Sequence, residues 1–353
     1  MKKMAIMGVG AIGSLLGGYI SLAGEDITLI DPWWREHIEA MRQRGLRIDG
    51  CRGEHLVRVK ALHTDELSQL EGKLDILFIA VKSYDTERML TLMKPYLKED
   101  AWVVSCQNSI NEDVIISIVG ASRTIGCVVT LRGELWGPGH VTQTGRPDRL
   151  AFTVGELDGK ITPRIREVAR ITNLCAESKI TTNIWGDRWA KLAMNCMANS
   201  MAGITGYQSS DLFKNRPVYS FCHLIGAEVI QVAEALGYKV ELIWGRSAEF
   251  WKRSAVSPSP EIDEAMLSLS RNLAVGRSSL LQDIIKGRPT EIDYLNGYLV
   301  KRGKEAGIPT PANEAALSLV KEIESGKLKP SPANIDILQG YYRRQASPSC
   351  DKS

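Results

Sequence analysis

The rhythm of hydrophobic positions changes once along this chain, near residue 183. Before that point, short apolar runs alternate with helical patterns, the rhythm of strands and crossover helices in a mainly parallel sheet. The runs predict strands over residues 3–8, 27–31, 46–48, 56–59, 76–81, 102–105 and 125–130. Alternation around a Gly-Pro-Gly turn between 133 and 156 predicts antiparallel strands that finish the sheet. After 183, strand-like alternation gives way to helical periodicity with caps. One long helix over 218–236 is stopped by Gly237. Thr290, with Asp293 three residues on, predicts the N-cap of a helix running from Glu291 to about Gly307. Thr310-Pro311 opens the next helix with proline at the first position, and Gly326 ends it. The expected organisation is an α/β domain over 1–182, an all-α domain over 183–328 and a loosely ordered tail over 329–353.

One turn in the first domain carries chemistry. Gly8-Val9-Gly10-Ala11-Ile12-Gly13 follows a strand and opens a helical run. Glycines so spaced permit a tight turn, a close approach of backbone to a pyrophosphate and contact of helix with strand, while the helix N-terminus favours the anion. Asp31 ends the second strand, eighteen residues past Gly13. A carboxylate there accepts bonds from ribose hydroxyls and repels a 2′-phosphate, so NAD(H) is favoured over NADP(H). The fold class is therefore a Rossmann dinucleotide-binding domain followed by an all-α C-terminal domain. Trp33 and Trp34 flank the adenine or pack elsewhere, and Arg35 stands near enough to soften the preference for NAD.

A second feature lies in the helical half. Lys191, Asn195 and Asn199 recur every four residues in Lys191-Leu192-Ala193-Met194-Asn195-Cys196-Met197-Ala198-Asn199. At about 100° per residue they share one stripe of a helix face that is otherwise apolar. Three such groups are costly to bury unless they meet partners, and a polar substrate is one such partner. An ammonium in that stripe supplies the proton donor that a hydride-transfer site requires.

Composition narrows the field. Lys and Arg number 44 against 41 Asp and Glu, leaving +3, too little for a nucleic-acid partner. Seven scattered cysteines without a CxxC spacing fit a reducing compartment and speak against structural zinc. Five isolated histidines speak against a metal cluster. The apolar run behind Met1-Lys2-Lys3 is broken by Gly8, Gly10 and Gly13, and no segment reaches the roughly 18–20 apolar residues of a membrane span. A soluble, cytoplasmic protein without a membrane partner is expected.

With these features in hand, the chain resembles the ketopantoate reductase family (2-dehydropantoate 2-reductases) from about residue 3 to about 325. Five motifs stand in the family's order: Gly8 to Gly13; Ala80-Val81-Lys82; Gln107-Asn108; Lys191 to Asn199; and Ser278-Ser279-Leu280-Leu281-Gln282-Asp283 leading to Thr290-Glu291-Ile292-Asp293. The resemblance implies an active site in a cleft between the two domains and a homodimer through the helical one. It makes Lys191 the general acid and Glu291 the acid that helps to position it. Asn195, Asn199 and Ser279 become groups that hold the substrate's carboxylate and hydroxyl. Lys82 and Asn108 line the nicotinamide end, with Asn108 also reaching substrate, and Gly8, Gly10, Ala11, Ile12, Gly13 and Asp31 hold the rest of the cofactor.

The chain departs from the family pattern at named places. Ser109 stands where the family usually has glycine, and Ser209 where it presents another substrate-binding asparagine. Asp31 replaces the basic residue of NADPH-preferring members, and Asp85 adds negative charge on the adenosine side. Extra length over 240–260 carries Trp244, Phe250 and Trp251, which either reshape the substrate side or pack on the surface. The expected function is reduction of a small-molecule 2-oxo acid to its 2-hydroxy acid, ketopantoate to pantoate by default. The alternatives are another keto acid or ketone within the family, a 3-hydroxy acid or opine-type dehydrogenase, and a non-catalytic NAD(P) sensor.

Overall fold

Twelve strands and fourteen helices follow one another in a computed structural model that describes residues 1–273 and 276–346. The strands are β1 (Met4–Met7), β2 (Ile27–Asp31), β3 (Leu46–Gly50), β4 (His55–Val57), β5 (Lys60–His63), β6 (Leu74–Ile79), β7 (Leu97–Ser105), β8 (Thr124–Val129), β9 (Arg132–Gly137), β10 (His140–Thr144), β11 (Phe152–Glu156) and β12 (Ser178–Ile180). The helices of this first part are α1 (Ala11–Leu22), α2 (Arg35–Arg44), α3 (Thr86–Met93), α4 (Glu112–Val119) and α5 (Pro163–Cys175). Two compact units result, Met1–Ile184 and the chain from Trp185 onward.

In the first unit an eight-stranded sheet runs in the order β12-β11-β8-β7-β6-β1-β2-β5. Every pair is parallel except β8 with β11. The chain winds outward from β1 through β2 on one side and through β6 and β7 on the other. Between β1 and β6 it therefore leaves a crevice at the strands' carboxyl ends, where open α/β sheets bind ligands. Both faces are covered, so alternate residues of β1 enter different cores: Met4 and Ile6 on one side, Ala5 and Met7 on the other.

A second sheet, ordered β4-β3-β10-β9, lies over α1. Two adjacent glycines make that possible. A Cβ on Gly17 would lie 2.8 Å from Leu29 of the main sheet, and one on Gly18 would lie 2.6 Å from Ile48 of the second. A helix pressed from both sides is apolar nearly all round, as residues 13–20 are, all of them buried.

This arrangement corrects the reading of residues 133–156. β9 and β10 pair around Pro138-Gly139 but join β3 and β4, and only β11 extends the main sheet. The edge beside β2 belongs to β5, a strand too short and too polar for its pattern to announce.

The second unit is helical: α6 (Ile184–Thr205), α7 (Ser209–Leu212), α8 (Arg216–Ala235), α9 (Ala248–Val256), α10 (Pro260–Asn272), α11 (Ser279–Ile285), α12 (Asn296–Ala306), α13 (Pro311–Glu324) and α14 (Asn334–Ala346). Helix α8 stops where predicted, with Gly237 at φ +84°. Residues 334–346, read as loose tail, instead form α14 against α13, with Leu338 fully buried. Residues 347–353 of that tail lie outside the described residues. The 240–260 excursion packs inward: Trp251 is buried, its indole donates to Ile243 O at 3.1 Å, and its ring meets Trp244, Phe250 and His223. No helix among the described residues is long and apolar enough to cross a membrane.

Candidate active site

The glycine turn leaves β1 at Gly8, whose φ of +98° suits only glycine without strain. A Cβ there would lie 2.6 Å from the Val81 amide, so the turn is pressed against the segment that follows β6. A Cβ on Gly13 would run into the Gly8 carbonyl. Gly10 is different: it is exposed, and a Cβ there would meet open space. Two glycines are thus demanded by the protein itself, while the third leaves room that only a ligand needs. Gly10 also caps α1 without a side chain, so the first-turn amides at Ala11 and Ile12 present an anion-favouring helix end. The cradle fits the pyrophosphate of a dinucleotide.

Asp31 lies beside it, almost fully buried. Its Oδ2 accepts the Val9 N–H at 3.0 Å, and its Oδ1 accepts those of Trp33 and Trp34 at 2.8 and 2.7 Å. A carboxylate offers about four acceptor sites. Three are taken by backbone, so Asp31 organises the turn first and has one Oδ2 lone pair left for a ligand hydroxyl. The tryptophans part company here. Trp33 is exposed, donates its indole N–H to Asp85 Oδ2 at 3.3 Å and lies under the Arg88 guanidinium, whereas Trp34 stacks on His37. Arg35 pairs with Asp65 and lies 3.2 Å from His63 Nδ1.

Across the crevice, Lys82 follows β6 and Asn108 follows β7. Gln107 ties the two loops by donating to Val81 O and Thr86 Oγ1, both at 2.8 Å. The Asn108 carbonyl accepts the Asn111 carboxamide at 2.7 Å and the Ser83 hydroxyl at 3.4 Å. Ser109, where glycine is usual, holds φ +69° and is buried. Gly8, Gly10, Ala11, Ile12, Gly13, Asp31, Lys82 and Asn108 therefore share one edge of one sheet.

The helical unit gathers the remaining residues. Lys191, Asn195 and Asn199 lie along α6, the lysine half-buried and both asparagines buried. Ser279 opens α11, whose Leu280 and Ile284 press on α6 at Gly203. Ser278 provides the cap, accepting the Leu281 N–H at 3.2 Å, which leaves the Ser279 hydroxyl out of that bond. Ser209 is buried at the start of α7, its N–H donating to Gly276 O at 3.1 Å.

The segment 290–307 departs from the predicted single helix. Thr290 accepts the Ile292 N–H at 3.2 Å, a short 3₁₀ turn follows over Ile292–Tyr294, and α12 begins only at Asn296 after Leu295 turns sharply. Asp293, expected to return the cap, pairs instead with Lys321 of α13. Glu291 is held buried in that turn rather than at the first position of an α-helix.

Sequence reasoning missed the residues behind this surface. Asn296 donates to Asn313 Oδ1 at 2.9 Å and to the Cys196 carbonyl of α6 at 3.4 Å. Asn313 donates to Glu228 Oε2 at 2.7 Å. His37 and Ser14 were also missed, although His37 shares a face of α2 with Ile38 and Met41, and that burial was readable from helical spacing.

A glycine turn at the switch point of a doubly wound sheet, followed by a helical unit bearing a lysine–asparagine stripe, defines a two-unit dinucleotide-dependent oxidoreductase. The chain belongs to the ketopantoate reductase family. Residues 4–159 match the family described as ketopantoate reductase PanE/ApbA, and residues 183–324 match its C-terminal domain. A 2-dehydropantoate 2-reductase of Archaeoglobus fulgidus is 32% identical over 92% of this chain and 99% of its own length. The crystal structure of a PanE/ApbA family ketopantoate reductase from Ralstonia eutropha JMP134 superposes with a TM-score of 0.76 at 30% identity, covering 92% of this chain and 99% of that one. The D-mandelate dehydrogenase structure with NADH and anilino(oxo)acetate shares the fold, with a TM-score of 0.77 at 24% identity over 92% of this chain and 99% of that one. The chain is an enzyme, an oxidoreductase acting on CH–OH groups.

Proposed function

We propose that the chain reduces a 2-oxo acid to the 2-hydroxy acid, with ketopantoate as the default substrate and NADH preferred to NADPH. The stripe on α6 carries this reading: a half-buried ammonium with two buried carboxamides on the same face. The nicotinamide, when bound, supplies the hydride. Negative charge then develops on the substrate's carbonyl oxygen, and Lys191 stabilises it and delivers the proton; positioned acid catalysis of this kind is typically worth about 10²–10⁴-fold. Asn195, Asn199 and Ser279 donate to the substrate's carboxylate and hydroxyl, which fixes the carbonyl for attack. Glu291 hydrogen-bonds at the reaction centre and orients the lysine. Lys82 and Asn108 line the nicotinamide end, and Asn108 also reaches substrate. Asp31 and Asp85 at the adenosine end favour a ribose hydroxyl over a 2′-phosphate.

The test follows NADH and NADPH absorbance with purified protein across 2-oxo acids that include ketopantoate. Turnover with ketopantoate is expected, faster with NADH. In Lys191→Ala, kcat should fall at least about 100-fold while NADH still binds. Binding of cofactor without turnover of any oxo acid would replace this reading with a sensor. A second reading, reduction of a different keto acid within the family, is favoured by Ser209 and Ser109, which stand where the pattern has asparagine and glycine. Turnover of other oxo acids but not ketopantoate would establish it.

A further inference from the structure

The backbone of Val9, in the middle of the glycine turn, is held at both of the peptide units that flank its Cα. Its N–H donates to Asp31 Oδ2 at 3.0 Å, and its carbonyl accepts the Ser14 hydroxyl at 2.9 Å. The Ser14 oxygen lies 3.1 Å from His37 Nε2, and His37 Nδ1 accepts the Gly139 N–H at 2.8 Å. Ser14 and His37 are both wholly buried. Every proton in this chain has one available place. Because Nδ1 accepts from a backbone amide, the neutral ring carries its proton on Nε2, so Nε2–H donates to Ser14 and the Ser14 hydroxyl must point to Val9. Burial supports the neutral ring by pushing the histidine down to about 4. Trp34 stacks on the imidazole, with centroids 4.9 Å apart and planes 16° from parallel, and fixes its rotation.

We infer that Ser14 and His37 form a positioning strut that braces the cofactor-binding glycine turn against the Gly139 turn of the second sheet. The inference rests on the proposed dinucleotide site only for its effect on affinity; the bracing itself belongs to the fold. Without the Ser14 bond the Val9–Gly10 peptide is free to rotate, while Asp31 still holds the Gly8–Val9 one, and the loosened unit carries Gly10 and the start of α1 with it. The first-turn amides of α1 would then meet the pyrophosphate from a spread of orientations rather than one. Neither residue touches the reacting atoms, so the strut acts on binding of the cofactor and not on proton or hydride transfer.

The experiment compares the full-length protein with Ser14→Ala, His37→Phe, His37→Gln and a control, Val168→Ala, a buried position in the same core on α5, whose Arg170 pairs with Glu25 beyond the C-terminal end of α1. Two readouts are taken: NADH affinity by fluorescence titration, and amide exchange of the peptide spanning residues 8–14. Ser14→Ala and His37→Phe should raise the Kd for NADH about tenfold, the worth of one buried hydrogen bond whose partner is left unpaired. KM for the cofactor should rise alike while kcat at saturation stays within twofold, and exchange at 8–14 should quicken. His37→Gln keeps an N–H donor and a carbonyl acceptor and should recover most of the affinity. Val168→Ala should lower Tm without moving either readout. Unchanged exchange at 8–14 in Ser14→Ala and His37→Phe would overturn the strut, as would an equal change in Val168→Ala. If the wild type binds neither NADH nor NADPH, the functional reading falls, and exchange alone still decides the strut.

Discussion

Ser109 shows how a single backbone angle can be legible in advance and still informative. Ser109 stands where the family pattern has glycine, so the position was open to a left-handed residue that serine tolerates poorly, and the serine adopts that conformation at φ +69°. A non-glycine residue pays about 1–2 kcal/mol there, partly offset by the entropy glycine would lose on folding. Ser109→Gly should therefore stabilise the protein by up to about 1 kcal/mol, seen as a higher urea midpoint with an unchanged slope. A lower midpoint would show that bonds made by the Ser109 side chain outweigh the strain. Asp31 was legible only in part. Its place at the end of the second strand is plain from the sequence, but the three amides that claim its oxygens come from two turns whose approach only tertiary packing decides. The periodic stripe of Lys191, Asn195 and Asn199 was fully readable because helical spacing alone puts those residues on one face.

At the scale of elements, α6 is held by a buried polar chain rather than by apolar contacts alone. Glu228 of α8 caps α13 by accepting the Ala312 and Asn313 N–H groups at 2.8 and 2.9 Å. Asn313 passes the chain on to Asn296, and Asn296 reaches the Cys196 carbonyl beside Asn195. Asn313→Ala would strip a donor from a buried carboxylate and an acceptor from Asn296, and should cost about 3 kcal/mol of stability. Chemical denaturation followed by far-UV circular dichroism measures this, and a loss below about 1 kcal/mol would show that water replaces the missing amide. This network was hidden because its members lie 85 and 100 residues apart in sequence. The helix predicted from Glu291 failed for a related reason: Glu324 of α13 takes the Thr290 N–H at 2.8 Å and Lys321 takes Asp293, so tertiary partners outcompete the local cap. Likewise β9 and β10 were legible as a hairpin, but not as members of a second sheet, since alternation marks a strand without naming its neighbour.

For the molecule as a whole, the two units should answer acid differently, because their buried titratable groups differ. In the first unit, burial pushes His37 down to about 4. A depressed histidine contributes stability that is present above its unfolded value of about 6.5 and lost as pH falls toward 4, up to about 3 kcal/mol. In the helical unit, burial likewise pushes His223 down to about 4. That unit also holds Glu228, which burial raises to about 7 against the pull of its three N–H donors, with Glu314 adding to the rise. A raised carboxyl works with the opposite sign: its stabilisation is complete below the unfolded value of about 4.5 and is lost as pH rises through 7. Between about pH 4.5 and 6.5 the unfolded first unit takes up one proton more than the folded one at His37. In the helical unit the proton gained at His223 on unfolding is cancelled by the one lost from Glu228. The first unit should therefore weaken steadily from pH 6.5 to 4.5 while the helical unit stays nearly level. Urea titrations read by pulsed hydrogen exchange on peptides from β1 and β6, and separately from α6 and α8, resolve the two. Glu228→Gln should unmask the His223 slope and make the helical unit acid-sensitive as well. Equal slopes in both units of the wild type, or no change in the helical unit on Glu228→Gln, would mean that Glu228 does not hold a proton in the folded chain between pH 4.5 and 6.5.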